Sequence, residues 1–388
     1  MADTAGAPAR RVLVLQGGGA LGSYQAGVYQ GLAEQGVRPH WIAGISIGAI
    51  NAALIAGNPP ERQVERLREF WRLVTEGPQA PAWGFGGGAR GMVSQMNAAG
   101  ALMFGVNGFF APRFPPPQLQ APGKVAALSY YDTAPLKATL ERLVDFDRIN
   151  ARETRFSVGA VEIETGNFAY FDNERDVIRP EHIMASGALP PGLPPIEIDG
   201  RFYWDGGLVS NTPLEYVLET PSDRDLLIFQ VDLFPARGPM PRTLNEAAER
   251  EMDIRFSSRT RLNTDQALRI HQLKRLARDL MAALPPDLAA SDTARQLAPL
   301  AAENAVTVVQ LIYRRAAYES QSKDYEFSRE TMIEHWSSGQ SAVDRAFAKR
   351  EAILNPATGV SFQTFDEGEP AHDRVVEPAP AVSVNTHT

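Results

Sequence analysis

Two glycine-rich turns, each between a strand pattern and a helix pattern, limit what this chain can fold into. The first unit has its strand at 11–16, its turn at 17–22 and its helix at 23–35. The second has its strand at 41–45, its turn at 44–48 and its helix at 49–56. Two strands joined by a helix pair in parallel, and their helices cover the faces of the sheet. We therefore predict an α/β fold with three layers (α/β/α) and a mainly parallel central sheet.

The later part of the chain differs in composition and suggests further structural regions. We predict a catalytic domain over 8–235, a mostly helical C-terminal extension over 236–352 packed on the core, and a disordered tail over 353–388. Within the extension, one long helix is expected near 243–282. Four leucines fall on one stripe of it and predict a core-facing side: Leu262, Leu273, Leu276 and Leu280.

An unusual segment interrupts the first domain between residues 77 and 131. It contains no Asp or Glu, and its only charges are Arg90, Arg113 and Lys124. It is rich in Gly, Pro, Met, Phe and Trp, whereas disordered segments have few aromatic residues. We predict an irregular but ordered apolar flap, which completes the core, lines an acyl channel or touches a membrane.

Composition excludes several classes of function. The formal net charge is −8 and the pI is about 5.4, so nucleic acid is not an expected partner. The absence of cysteine excludes thiol catalysis and disulfides. The sequence shows no signal peptide and no apolar run of membrane-spanning length, so we expect a cytoplasmic protein with peripheral membrane contact through the flap.

The second glycine turn carries the candidate nucleophile. Gly44-Ile45-Ser46-Ile47-Gly48 matches G-x-S-x-G between a strand and a helix. In such a turn the serine hydroxyl is lifted clear of the backbone, and small flanking residues avoid a clash. A turn of small residues that only packs the helix on the sheet is the alternative.

The first turn, Gly17-Gly18-Gly19-Ala20-Leu21-Gly22, allows three interpretations. Its backbone N–H groups could form an oxyanion hole, with Gly17, Gly18 and Gly19 as donors. It also matches the dinucleotide-binding pattern G-x-G-x-x-G, but the acid expected at the end of the second strand is replaced by the Ser46 turn. Tight packing is the third interpretation.

A serine nucleophile needs a base, and none of the six histidines has a catalytic setting in the sequence. Asp205 is the better candidate, because it ends an aromatic strand and is followed by Gly206 and Gly207. A partly dehydrated carboxylate has raised basicity and can accept the proton directly. The alternative is an ordinary Asp-Gly turn.

These motifs, in this order, resemble the patatin-like phospholipase family over roughly residues 10–235. Gly17–Gly19 match its oxyanion loop, Ser46 its nucleophile and Asp205 its base, and the later helical segment resembles an extension of a bacterial subgroup. The segment 185–190 and Asn211-Thr-Pro213 are also similar, and we interpret Asn211 as a helix N-cap. Leu21 departs from the family, which carries Arg or Lys at this place.

The resemblance implies a patatin-like fold and a hydrolase that cleaves carboxylic esters of lipids through a Ser–Asp dyad and an acyl-enzyme. It implies no cofactor and no metal, and Gly22, Gly44, Gly48, Gly206 and Gly207 are expected to support the motifs. The partner is a lipid or other hydrophobic ester. A general carboxylesterase or polyester hydrolase, a non-enzymatic lipid-binding module and a dinucleotide-dependent enzyme remain alternatives.

Overall fold

A computed structural model describes residues 8–77, 87–301, 304–314, 324–355, 362–366 and 374–375 of the 388-residue chain. For residues 87–92, 258–265, 300 and 374–375 it describes the backbone alone.

The described residues form twelve strands and thirteen α-helices. The strands are β1 (Arg10–Leu15), β2 (Trp41–Gly44), β3 (Ala111–Pro112), β4 (Tyr131–Asp132), β5 (Arg155–Glu162), β6 (Phe168–Asp172), β7 (Ile196–Ile198), β8 (Arg201–Asp205), β9 (Leu226–Asp232), β10 (Val306–Ile312), β11 (Phe362–Asp366) and β12 (Arg374–Val375). The helices are α1 (Gly22–Glu34), α2 (Ile47–Ala56), α3 (Gln63–Val74), α4 (Gly87–Phe104), α5 (Ala134–Leu143), α6 (Phe146–Asn150), α7 (Pro180–Ser186), α8 (Leu214–Glu219), α9 (Leu244–Ala282), α10 (Pro286–Ala289), α11 (Asp292–Ala301), α12 (Arg329–Phe347) and α13 (Arg350–Leu354).

Ten strands form one central sheet in the order β12-β11-β10-β9-β1-β2-β5-β8-β7, with β6 also paired to β5. The six strands from β11 to β5 in this order are parallel, and the outer pairings are antiparallel. The predicted α/β class with a mainly parallel sheet is confirmed.

Helices cover both faces of the sheet, as the alternation of side chains along β1 requires. Leu13 and Leu15 belong to the larger apolar core with α1, α2, α3 and α12. Val12 and Val14 point to the opposite face and pack with residues of α8 and α9. The centre of the sheet is therefore buried on both sides, and its carboxyl edge is the place where loops can build a site.

The segment after residue 235 completes this sheet. β10 pairs with β9 in parallel, and β11 pairs with β10, so the sheet crosses the boundary predicted at 235/236. The prediction of a disordered tail from 353 is wrong for β11, whose Phe362 is fully buried against the second core. Its two phenylalanines, Phe362 and Phe365, are buried on opposite faces of the sheet, and its strand partner β10 is distant in sequence. The remainder of that tail lies mostly outside the described residues.

Part of the predicted irregular flap is helical, and residues 105–131 contain only short elements. α4 occupies residues 87–104, because its Ala, Met and Leu content favours a helix once one side is covered. After α4, residues Phe109 and Phe110 are buried in the main core. The part of the flap over 78–86 lies outside the described residues.

The leucine stripe of α9 does not face the core. Leu273, Leu276 and Leu280 are more than half exposed, whereas Ala267 and His271 in the same part of the helix are buried. The prediction for the stripe is therefore wrong, and Leu262 lies among side chains that are not described. None of the described helices combines the length and the apolar character needed to cross a membrane.

Candidate active site

The turn between β2 and α2 holds Ser46 in a strained conformation. Ser46 has φ 55° and ψ −123°, a region that residues with a side chain rarely adopt. α2 begins at the next residue, Ile47, so the positive end of its dipole lies beside the serine. The predicted strand–turn–helix setting of Ser46 is present.

A distant segment fixes this turn. The Ser46 N–H donates to the Ser186 carbonyl oxygen at 3.1 Å and to the Ser186 Oγ at 3.0 Å. Two residues further on, the Ala188 carbonyl accepts the Asp205 N–H at 3.0 Å. The segment 185–190 therefore ties Ser46 and Asp205 to one support. The resemblance pointed to this segment, but the sequence did not indicate which atoms it holds.

Asp205 lies at the end of β8 and is almost fully buried, with 3% of its surface exposed. Its Oδ1 accepts the Gly207 N–H at 2.7 Å. Burial raises the pKa of Asp205 to about 7, although hydrogen bonding from the Gly207 N–H and from the Ser46 side chain opposes this shift. The carboxyl group is thus close to half ionised at neutral pH, as a general base should be.

The glycine loop provides two free donors, not three. The Gly17 N–H donates to the Asn211 carbonyl at 3.1 Å, so Gly17 is not available as an oxyanion donor, and that prediction is corrected. The N–H groups of Gly18 and Gly19 have no acceptor among the described residues. Gly19 has φ +55°, and a Cβ there would lie 2.2 Å from the Asp324 carbonyl oxygen.

The side chains of Asn211 and Gln16 fix the glycine loop and its surroundings through hydrogen bonds. The Asn211 Nδ2 donates to the Gly17 carbonyl at 2.9 Å, so Asn211 is not the N-cap that we predicted, and Pro213 occupies that position of α8. The buried Gln16 side chain accepts the Leu233 N–H at 2.6 Å and donates to Thr212 Oγ1 at 2.9 Å. These contacts join residues about 200 positions apart, which the sequence did not reveal.

The remaining motif glycines allow close packing around these groups. A Cβ at Gly22, Gly44, Gly48 or Gly206 would lie between 2.4 and 2.7 Å from a neighbouring heavy atom, and a Cβ at Gly207 would lie 2.9 Å from Asn211 Oδ1. Leu21 is fully buried in the main core and does not line the site.

Ser46, Asp205 and the glycine loop open into one cavity of about 230 Å³. Its wall is mostly aromatic and aliphatic, and four of its residues come from the segment after 235. Besides the motif residues, the lining includes Ile47, Leu102, Phe109, Phe110, Tyr130, Tyr131, Gly187, Leu189, Gly192, Leu193, Asn211, Phe234, Phe256, Asp324, Tyr325 and Phe327.

Histidine is absent from the described lining of this cavity. His182 is buried beside Phe171, and His271 packs on Phe362 with ring centroids 5.1 Å apart. His372 and His387 lie outside the described residues. In the part of the chain that the structure describes, no group of three or more His, Asp or Glu residues is placed to hold a metal ion.

Comparison with known families agrees with this site. A family model described as patatin-like phospholipase matches residues 13–218, just over half of the chain. A second model, described as patatin phospholipase, matches residues 254–358. The chain therefore belongs to the patatin-like phospholipase family, and its class is that of the lipid hydrolases.

Three solved structures are similar to the chain at low identity. VipD from Legionella pneumophila is 14% identical, with a TM-score of 0.40, over 90% of this chain and 69% of its own. The type III effector ExoU is 14% identical, with a TM-score of 0.33, over 89% of this chain and 54% of its own. ExoU in its complex with SpcU from Pseudomonas aeruginosa is 16% identical, with a TM-score of 0.28, over 76% and 58%. A search of curated proteins gave no match.

The burial of Asp205 predicts a pH-dependent gain of stability in Asp205→Asn. Well below the ordinary aspartate pKa of about 3.9, Asp205 is protonated in both the folded and the unfolded wild type, and the substitution has little effect. Between pH 4 and 7 the unfolded carboxyl ionises while the folded one, with its pKa of about 7, stays protonated, so wild-type stability falls. Asparagine does not ionise, so the variant does not lose this stability. In the wild type, the loss of unfolding free energy is on the order of 4 kcal/mol once the pH is above both pKa values.

Thermal unfolding of both proteins at several pH values measures the effect. The melting temperature of Asp205→Asn should exceed that of the wild type by a margin that grows from pH 4 to 7 and is constant above. Asp232, whose pKa burial also raises to about 7, is present in both proteins and cancels. Asp287→Asn, at an exposed position of α10, is the matched control. A margin independent of pH would contradict the assigned burial cost.

Proposed function

We propose that this protein hydrolyses carboxylic esters of lipids through Ser46 as nucleophile and Asp205 as general base, within the carboxylic ester hydrolase class. The observation that carries the proposal is the position of the strained Ser46 beside a buried carboxyl group of raised pKa, in a cavity with an apolar wall.

The reaction has two halves. The Asp205 carboxylate accepts the proton of the Ser46 hydroxyl as the Ser46 oxygen attacks the ester carbonyl. The tetrahedral intermediate then collapses to an acyl-serine, and Asp205 returns the proton to the leaving alcohol. A water molecule then attacks the acyl-serine while Asp205 accepts its proton. Asp205 returns this proton to the Ser46 oxygen as the fatty acid is released.

The N–H groups of Gly18 and Gly19 are the proposed oxyanion donors. They lie in the loop next to Ser46, where a Cβ at Gly17 would be 3.1 Å from the Ser46 Cβ. Loss of one such donor typically costs about 3 kcal/mol of transition-state stabilisation. The supports described above, Asn211 and Gln16, keep these donors in place before substrate arrives.

The lining of the cavity favours an acyl chain. Leu102, Phe109, Phe110 and Leu193 are among the apolar side chains that border it, and they offer no charge to a polar substrate. Simple esters with a sufficiently apolar acid part fit the same chemistry, so a carboxylesterase activity on such esters accompanies the proposed lipid hydrolysis.

The segment 77–131 carries exposed apolar side chains, which we define as the apolar rim: Met96, Met103, Phe104, Phe114, Leu119 and Leu128. Leu102 and Tyr130 connect the rim to the cavity, because each is more than 40% exposed and also lines it. The surrounding segment 77–131 has no acid in a chain of net charge −8. We propose that this rim contacts a lipid surface, from which the substrate enters.

Replacement of Ser46 tests the proposed chemistry. Ser46→Ala should lower hydrolysis of a long-chain p-nitrophenyl ester by at least a thousandfold and abolish labelling by a fluorophosphonate. The reason is that the variant lacks the proposed nucleophilic hydroxyl. Ser210→Ala, at a serine near the site that does not line the cavity, should keep both properties. Ester turnover by Ser46→Ala at the wild-type rate would contradict the assignment, and a wild type that binds lipid without turnover would favour a binding module.

The apolar rim is tested by vesicle binding. Phe104→Ser/Phe114→Ser should weaken binding to vesicles of phosphatidylcholine and phosphatidylglycerol at least tenfold, since each buried Phe contributes about 1.5–3 kcal/mol. Hydrolysis of a soluble short-chain ester should be unchanged. Leu273→Ser/Leu276→Ser, on the exposed stripe of α9, is the matched control. Equal binding of all three proteins would show that the rim is not the contact surface.

A further inference from the structure

The segment just before α12 reaches the active site from a distant part of the chain. Asp324, Tyr325 and Phe327 all line the cavity that contains Ser46. α12 anchors this segment by packing along α1, where the Trp336 Nε1–H donates to Gln30 Oε1 at 2.8 Å. The backbones come so close that a Cβ at Gly27 would lie 1.9 Å from the Trp336 carbonyl oxygen.

The first contact of the segment is with the glycine loop. The Asp324 carbonyl accepts the Ala20 N–H at 2.8 Å. The same oxygen occupies the space beside Gly19, the loop residue with positive φ. This carbonyl therefore supports the loop at the residue next to the two proposed oxyanion donors.

The second contact concerns the Tyr325 side chain. It is partly buried in the cavity wall, and its hydroxyl has no hydrogen-bond partner among the described residues. Burial raises the pKa of Tyr325 to about 12, and the negative charges of Asp324 and Asp205 add to this shift. The phenol is thus a protonated donor within electrostatic range of Asp205.

Tyr131 provides an informative contrast in the same cavity. Its hydroxyl donates to the Leu102 carbonyl at 2.5 Å, so that donor is already used within the protein. The hydroxyl of Tyr325 remains available to an acceptor on a bound molecule. Tyr325 and Asp205 line the same cavity, and Asp205 returns the proton to the leaving alcohol, so we assign the Tyr325 donor to the alcohol side of the scissile bond.

We propose that Tyr325 binds the substrate by donating a hydrogen bond to an oxygen in the alcohol portion of the ester, and that the Asp324 carbonyl is a positioning group for the oxyanion loop. The inference rests on the proposed ester hydrolysis and assigns a specificity-determining residue to it. Esters whose alcohol carries a further acceptor oxygen, as glycerol esters and their phosphate derivatives do, are preferred over simple alkyl esters.

Tyr325→Phe tests this proposal with two substrates that share one acyl chain. For a 1-acyl-glycerophosphocholine, the substitution should lower kcat/KM roughly tenfold, the effect of losing one hydrogen bond to an otherwise unpaired acceptor. For the methyl ester of the same fatty acid, kcat/KM should stay within about twofold. Tyr131→Phe, the matched control, should affect both substrates equally.

Two outcomes would overturn the role of Tyr325. An equal loss on both substrates would mean that the hydroxyl only shapes the cavity. A shift in the pH midpoint of kcat/KM would mean that it acts through Asp205 and not on the substrate.

Binding separates this proposal from the proposed hydrolysis. If the wild type cleaves neither ester, the proposed hydrolysis fails, and the Tyr325 contact is measured with the non-hydrolysable ether analogues of both substrates. Weaker binding of the glycerophosphocholine ether alone to Tyr325→Phe would support the contact. Unchanged binding of both ethers would exclude it.

Discussion

The removal of one carboxyl group from water is the physical constraint on which this site depends. Among the described residues, no cation lies beside Asp205, and only the Gly207 N–H and the Ser46 side chain favour its charge. Burial therefore dominates and raises the pKa of Asp205 to about 7. A solvated aspartate would be too weak a base for a serine hydroxyl. The cost of this burial is borne by the folded state, and the aromatic wall beside Asp205 is the same wall that we propose as the binding surface for an acyl chain.

Hydrogen bonds to the backbone hold the Asp205 carboxyl group and Ser46 in a fixed relative position. Ser186 and Ala188 hold the N–H groups of Ser46 and Asp205, while Gln16 and Asn211 hold the glycine loop. Three separate segments provide these supports: the residue after β1, the segment 185–190 and the loop before α8. The site therefore depends on the order of the parallel strands, because that order brings these loops together.

Much of this arrangement was predictable from sequence, and the reason is local. Ser46 and the glycine loop lie in short motifs next to a strand, and Asp205 ends one, so spacing alone indicated their positions. Gln16 and Tyr325 carry no such signal. The Gln16 side chain, for example, accepts the N–H of Leu233, which lies 217 residues further along the chain. The same limit explains the errors in the fold. β11 was missed because its partner strand is distant in sequence. The leucine stripe of α9 is apolar but does not pack on the core. The number of free N–H donors in the glycine loop depends on Asn211, which accepts one of them.

The pH dependence of Ser46 reactivity tests the central claim most directly. The second-order rate constant for labelling of Ser46 by a fluorophosphonate, measured from pH 5 to 9, reports the ionisation of its base without the complications of a lipid surface. With Asp205 as the base, the rate constant should rise tenfold per pH unit below neutrality and reach a plateau, with a midpoint near pH 7. A rate constant that is flat over this range, or a midpoint near pH 4, would contradict the assignment of a buried Asp205 as the base.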